Sequence, residues 1–130
     1  IEFGYRRSNL GRYIILEASI KLARSSRDKL LSNCAHFLAM KKTKQALDVP
    51  SAGCAFKNPA DFQFTCGQMI DMLGLKGKRV GGAEISAKHA NFIVNRSHAT
   101  CKDVISLIEI VKGAVKENYG IDLEMEIKVI

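Results

Sequence analysis

A chain of 130 residues has room for one domain with a real core, and it needs neither a metal nor a disulfide frame to hold that core. Its 47% hydrophobic and 25% charged residues are the balance of a soluble globular protein, and no apolar run approaches the roughly 20 residues that span a bilayer. The formal net charge of +7 favours an anionic partner, whether nucleic acid, an acidic membrane surface or a phosphorylated small molecule, and does not choose among them. Cys34, Cys54, Cys66 and Cys101 form no CxxC pair, so neither zinc nor disulfides are expected and a reducing cytoplasmic setting is the simpler expectation. No signal-peptide pattern opens the chain; Ile1 stands first, not Met, and a fragment is expected.

In chain order, "YIILEASIKL" at 13–22 alternates apolar and polar residues with the period of a half-buried strand. Ser25 with Asp28 makes a capping box. Leu30, Leu31, Cys34, Phe37 and Leu38 then recur at helical spacing, which predicts a helix with Cys34 in the core. The helix runs out in the cationic "KKTKQ", suited to the negative pole of its dipole, and Pro50 opens a loop. A short helix over 65–73 is predicted to bury Cys66, Met69, Ile70 and Leu73 and to stop at Gly74. A glycine-rich basic stretch follows, then a buried strand carrying Ala90, Phe92, Ile93 and Val94. Thr100 and Asp103 form another capping box, opening a helix with Val104, Leu107, Ile108, Val111 and Val115 inward and its end near Gly120. The final "IDLEMEIKVI" alternates again, with Glu124 and Glu126 opposite the apolar parity. Strands and helices mix without a βαβ rhythm, which predicts an α+β fold with helices packed on a small sheet.

Cys54 is the chemical oddity: it sits between glycine and a polar cluster in "SAGCAFKNP", in a predicted loop, where a small thiol either fills a gap or is presented to a substrate. Lys57 is close enough in sequence to act on it. "GLKGKRVGG" fits neither phosphate-loop pattern. Its GxxG, Gly74 to Gly77, resembles the clamp of RNA-binding KH domains but is followed by a strand-like segment instead of a helix. His36, His89 and His98 have no metal-ligand spacing, and no metal is expected. The residues alone give a basic α+β domain with one unusual cysteine.

Read together, "FGYRRS" at 3–8, "PSAGCAFKNP" at 50–59, "GLKGKRVGGAEISAKHANFIVN" at 74–95 and "LEMEIKV" at 123–129 resemble the UDP-N-acetylenolpyruvoylglucosamine reductases, also called UDP-N-acetylmuramate dehydrogenases, in the family's order over nearly the whole chain. The resemblance implies an enzyme of bacterial peptidoglycan synthesis in which NADPH reduces FAD and the flavin passes hydride to the enolpyruvyl ether of a UDP-sugar. It implies that residues 1–47 are the tail of the FAD-binding region and 48–130 the C-terminal substrate-binding domain. The chain alone, without the N-terminal FAD-binding region, is then expected to be inactive. It also implies that Cys54 is the proton donor, where many members carry serine; a thiol of ordinary pKa about 8.5 is mostly protonated at neutral pH and gives up its proton more readily than an alcohol. Arg6 would pair with the substrate carboxylate, and Glu126, not its neighbour Glu124, would hydrogen-bond or protonate the enolate oxygen. Asn58, Lys57 and His89 resemble positions contacting the UDP part, and Lys44 or Gln45 is expected to approach the diphosphate. No nucleic acid and no membrane partner are expected on this reading. The competing expectation is a non-catalytic module that binds UDP-sugars or RNA.

Overall fold

The helix expected from Thr100 and Asp103 forms as α3 (Cys101–Tyr119) in a computed structural model that describes residues 1–130. Thr100 Oγ1 accepts from the Asp103 N–H at 3.2 Å and Asp103 Oδ2 accepts from the Thr100 N–H at 2.9 Å, satisfying two of the donors that a helix start leaves open. The apolar stripe Leu107, Ile108, Val111 and Val115 is buried, each side chain contributing about 1.5–3 kcal/mol relative to exposure. The helix stops at Gly120, at φ 71°.

The chain divides into two units, Ile1–Phe37 and Leu38–Ile130. In the first, β1 (Phe3–Gly4) and β2 (Arg7–Ser8) form an antiparallel hairpin with Phe3 opposite Ser8 and Gly4 opposite Arg7. Asn9 closes it, donating its N–H to Glu2 O and accepting the Glu2 N–H on Oδ1, both at 3.2 Å. The expected strand over 13–22 does not form: residues 14–26 take neither helix nor strand. Leu16 is 93% exposed, and Ile14, Ile20 and Leu22 are likewise uncovered. Alternation supplies a face, but a lone strand with no partner ladder has nothing to satisfy its backbone.

Helix α1 (Arg27–Lys44) begins one residue later than the Ser25 box predicts: Ser26 Oγ accepts the Lys29 N–H at 3.4 Å. No residue of α1 is buried, so Cys34 is exposed and not in the core. The stripe of Leu30, Leu31, Phe37 and Leu38 has the right spacing, but spacing does not provide an element to cover it.

The second unit is built on a four-stranded antiparallel sheet in the order β3-β6-β5-β4, with β3 Ser51–Cys54, β4 Arg79–Val80, β5 Ala83–Ile85 and β6 Phe92–Asn95. Helix α2 (Cys66–Met72) and α3 pack with it around a core of Phe56, Cys66, Met69, Ile70, Ile85, Leu107, Ile108 and Val111, giving the α+β architecture. Thr65 and Gln68 form a capping box on α2. The glycine-rich stretch becomes the β4–β5 hairpin, and Gly82 lies so close to the following loop that a Cβ there would sit 2.0 Å from Ser97 O. Beneath it Glu84, 4% exposed, accepts from Arg79 Nε and from Arg96 Nε, the latter at 3.2 Å. The C-terminal alternation makes a single bridge, Phe56 to Met125, instead of the expected strand. Leu123 is buried and Met125 and Ile127 are half-buried, whereas Val129 is exposed, so the inward parity fades toward the end.

Candidate functional site

Cys54 does not lie in a loop: it closes β3, opposite Phe92 of β6. Glycine and proline beside it suggest a turn, but Gly53 takes a positive φ of 89° and the β3–β6 register shifts between Ser51 and Cys54, an irregularity that only glycine accommodates cheaply and that re-aims the side chain after it.

Beyond Cys54 the chain is bonded on both edges. The bridge between Phe56 and Met125 is the kind in which the flanking residues exchange the bonds: the Glu126 N–H donates to Ala55 O at 2.8 Å and the Lys57 N–H to Glu124 O at 2.9 Å. The Phe56 N–H and C=O therefore face the opposite edge, where the Asn91 side chain meets both, accepting from the N–H on Oδ1 at 3.0 Å and donating Nδ2 to the carbonyl at 2.8 Å. Asn91 O also accepts the Ala55 N–H at 2.7 Å. Asn91 is 3% exposed. It lies inside the 74–95 family motif, but nothing in that motif singles it out; the only signal is a polar residue inside a predicted buried strand.

Through this ladder Glu126 is bonded to Ala55, the residue after Cys54, and Cys54 and Glu126 are both half-buried. Both also act electrostatically on Cys66, which is completely buried at the start of α2. Burial first, then the charges of Cys54 and Glu126, push the Cys66 thiol from an ordinary value of 9.0 up to about 11, and its Sγ–H donates to Lys57 O at 2.9 Å. Cys66 is thus a structural thiol beside the predicted reactive one.

Lys57 places its ammonium on the exposed carboxylate of Glu124, so one of the two acids is engaged by a lysine. Asn58 lies in the same stretch, and its Oδ1 accepts the Cys66 N–H at 3.0 Å, tying the Cys54 strand to α2. His89 precedes β6 instead of beginning it, with its ring 4.7 Å from that of Phe92. Its Nδ1 accepts the Asn91 N–H at 3.2 Å, which leaves the ring proton on Nε2. Burial, with Lys76 adding, holds the imidazole below its ordinary value. The ring borders a polar cleft of about 210 Å³ that Thr65, Gln68, Asp71, Lys76 and Lys88 also line, so a neutral N–H donor faces two ammonium groups, of which Lys76 pairs with Asp71 and Lys88 with Asp48.

Lys44 is the exposed last residue of α1. Arg6 belongs to the first unit, in the β1–β2 turn, at a φ of 54°, a left-handed conformation that costs a residue with a Cβ about 1–2 kcal/mol.

Sheet, helices and this bonded crossing define an α+β domain whose half-buried rim holds a thiol and a carboxylate. Residues 44–130 match the model of the UDP-N-acetylenolpyruvoylglucosamine reductase C-terminal domain. The chain is 44% identical over 131 residues to the UDP-N-acetylenolpyruvoylglucosamine reductase of Thermotoga sp. (strain RQ2), covering 99% of this chain and 43% of the relative. It is 46% identical over 128 residues to that of Petrotoga mobilis, covering 97% and 42%. The crystal structure of UDP-N-acetylenolpyruvylglucosamine reductase from Thermus caldophilus aligns with a TM-score of 0.67 at 40% identity, over 84% of this chain and 37% of that one. The chain belongs to the UDP-N-acetylenolpyruvoylglucosamine reductase family, and it spans less than half the length of these relatives.

The second unit does not fit the flavin that the family resemblance implies. No buried side-chain nitrogen or oxygen lacks a partner, and the closest glycine approach, at Gly82, is filled by the chain's own Ser97 carbonyl, leaving no cradle for a phosphate.

Proposed function

We propose that this chain supplies the substrate-handling part of an oxidoreductase that uses NADPH and FAD to reduce UDP-N-acetylglucosamine enolpyruvate to UDP-N-acetylmuramate in the cytoplasm, a step of peptidoglycan synthesis. Residues 48–130 form the substrate domain on this reading and 1–47 the end of a flavin-binding region. Most of the FAD site and the NADPH site belong to the N-terminal region of the family's enzymes, and the chain without that region is expected to be inactive.

Within the chain, the proposed work is control of a proton and of charge. When hydride adds to one carbon of an enolpyruvyl ether, the other carbon, next to the carboxylate, gains carbanion character and needs a proton. Cys54 delivers it, its S–H bond breaking as the C–H bond forms. Glu126 hydrogen-bonds the enolate oxygen as charge develops, and Arg6 takes the carboxylate two-pronged. His89 donates Nε2–H toward the UDP part, with Lys57 and Asn58 beside it and Lys44 toward the diphosphate.

The observation that supports this most strongly is that Cys54 and Glu126 both act on the buried Cys66 thiol, with the Glu126 N–H bonded at 2.8 Å to the carbonyl of Ala55, next to Cys54. The test is NADPH oxidation by the full-length protein with and without UDP-N-acetylglucosamine enolpyruvate. Oxidation that depends on the UDP-sugar and yields UDP-N-acetylmuramate is expected; oxidation indifferent to the sugar, with no such product, would refute the reading.

A further inference from the structure

We propose that Asn91 is a positioning residue for the reaction: its buried side chain serves as one rung of a β-ladder and fixes the backbone that follows Cys54 and bonds Glu126. The inference rests on the proton-donor reading of Cys54. Strand β6 pairs with β3 only as far as Phe92 opposite Cys54. One step on, the Phe56 N–H and C=O face away from Met125 and have no strand to bond. Asn91 fills that rung with two side-chain bonds, at 3.0 and 2.8 Å, and its carbonyl takes the Ala55 N–H at 2.7 Å. Residues Ala55 to Lys57 are thereby held from both edges, and the same backbone carries Cys54 on one side and bonds Glu126 across.

The chemistry admits few substitutes. A rung must donate and accept at once, which an amide does. An aspartate of the same shape keeps the bond from the Phe56 N–H but sets its second oxygen against the Phe56 carbonyl. Asn91 is too deeply buried to act on a ligand directly, so its effect passes through the strand. Its own N–H donates to His89 Nδ1 at 3.2 Å, so the same residue also orients the imidazole at the polar cleft.

The test is a double-mutant cycle in the full-length enzyme, reading reoxidation of the reduced flavin by the UDP-sugar enolpyruvyl ether in stopped flow. Asn91→Asp is expected to slow reoxidation about 10- to 100-fold, with flavin reduction by NADPH unchanged. In a Cys54→Ala background the same change should slow reoxidation clearly less than in the wild type, because the part of its effect that passes through Cys54 is gone. If the carboxylate variant fails to fold, Asn91→Gln, which keeps donor and acceptor on a longer arm, should show the same pattern at smaller amplitude. Equal slowing in both backgrounds, or wild-type reoxidation in the Asn91 variants while Cys54→Ala is slow, overturns the inference alone. Wild-type reoxidation in Cys54→Ala overturns the donor reading and this inference with it.

Discussion

Cys66 makes a quantitative demand on the fold. Its side chain is completely buried, and its thiol holds its proton to about pH 11 against an ordinary 9.0. Above pH 9 the unfolded chain releases that proton while the folded chain retains it, so this contribution to stability is full below about pH 9 and is lost as pH climbs toward 11. At about 1.36 kcal/mol per pH unit of separation, the loss comes to about 3 kcal/mol. Replacing the thiol by Cys66→Ala removes the titration, at a cost near neutrality of about 1 kcal/mol for the bond to Lys57 O and somewhat more for the lost packing. Urea unfolding of both proteins between pH 8 and pH 11 should show the wild type more stable at the acid end and its advantage shrinking, then reversing, toward the alkaline end. Lysine and tyrosine titrations are common to both and cancel in the difference. Parallel curves with a constant gap would refute the assignment of Cys66 as a desolvated thiol.

Two further expectations concern charge. Burial works to raise the Glu84 carboxyl, but the bonds from Arg79 and Arg96 outweigh it and hold the group below its usual range, so its stabilisation is present above about pH 4.5 and fades as pH falls through the depressed value. The guanidinium groups are the exposed partners, so thermal melts should show Glu84→Gln costing only about 1–3 kcal/mol, whereas Arg79→Met with Arg96→Met, which strands a buried charge, costs about 3–5 kcal/mol; the reverse order would contradict this. His89, held below its ordinary value by burial, should titrate below pH 6.5 in an NMR experiment on the imidazole, and stability should decline as pH falls from there because the unfolded chain takes the proton first. A midpoint at or above 6.5 would contradict the lowering of the ring's affinity for a proton by burial.

What the sequence revealed and what it hid follow one rule. Thr100, Asp103 and Gly120 carry local physics, a start and a stop within one element, and α3 forms as they dictate. Gly74 likewise ends α2, whose start is capped by Thr65 and Gln68 under the same rule. The alternation of 13–22 and the stripe around Cys34 carry only half of the needed information: a period defines a face, while burial requires another element to cover it. Cys54 is predicted in a loop because its neighbours are turn formers and its strand partner, Phe92, lies about forty residues on, where no local pattern points. The candidate site residues, Cys54 and Glu126 among them, stand out only as residue types in family motifs. The Asn91 rung on Phe56 does not, because an asparagine side chain standing in for a strand leaves no mark on either flanking sequence.

The most direct test of the account follows the proton. In the full-length enzyme, stopped-flow reoxidation of the reduced flavin by the UDP-sugar enolpyruvyl ether should fall about 10²-fold or more in Cys54→Ala, recover in large part in Cys54→Ser, and leave flavin reduction by NADPH untouched in both. Reoxidation at the wild-type rate in the alanine variant would contradict the claim that this thiol protonates the substrate.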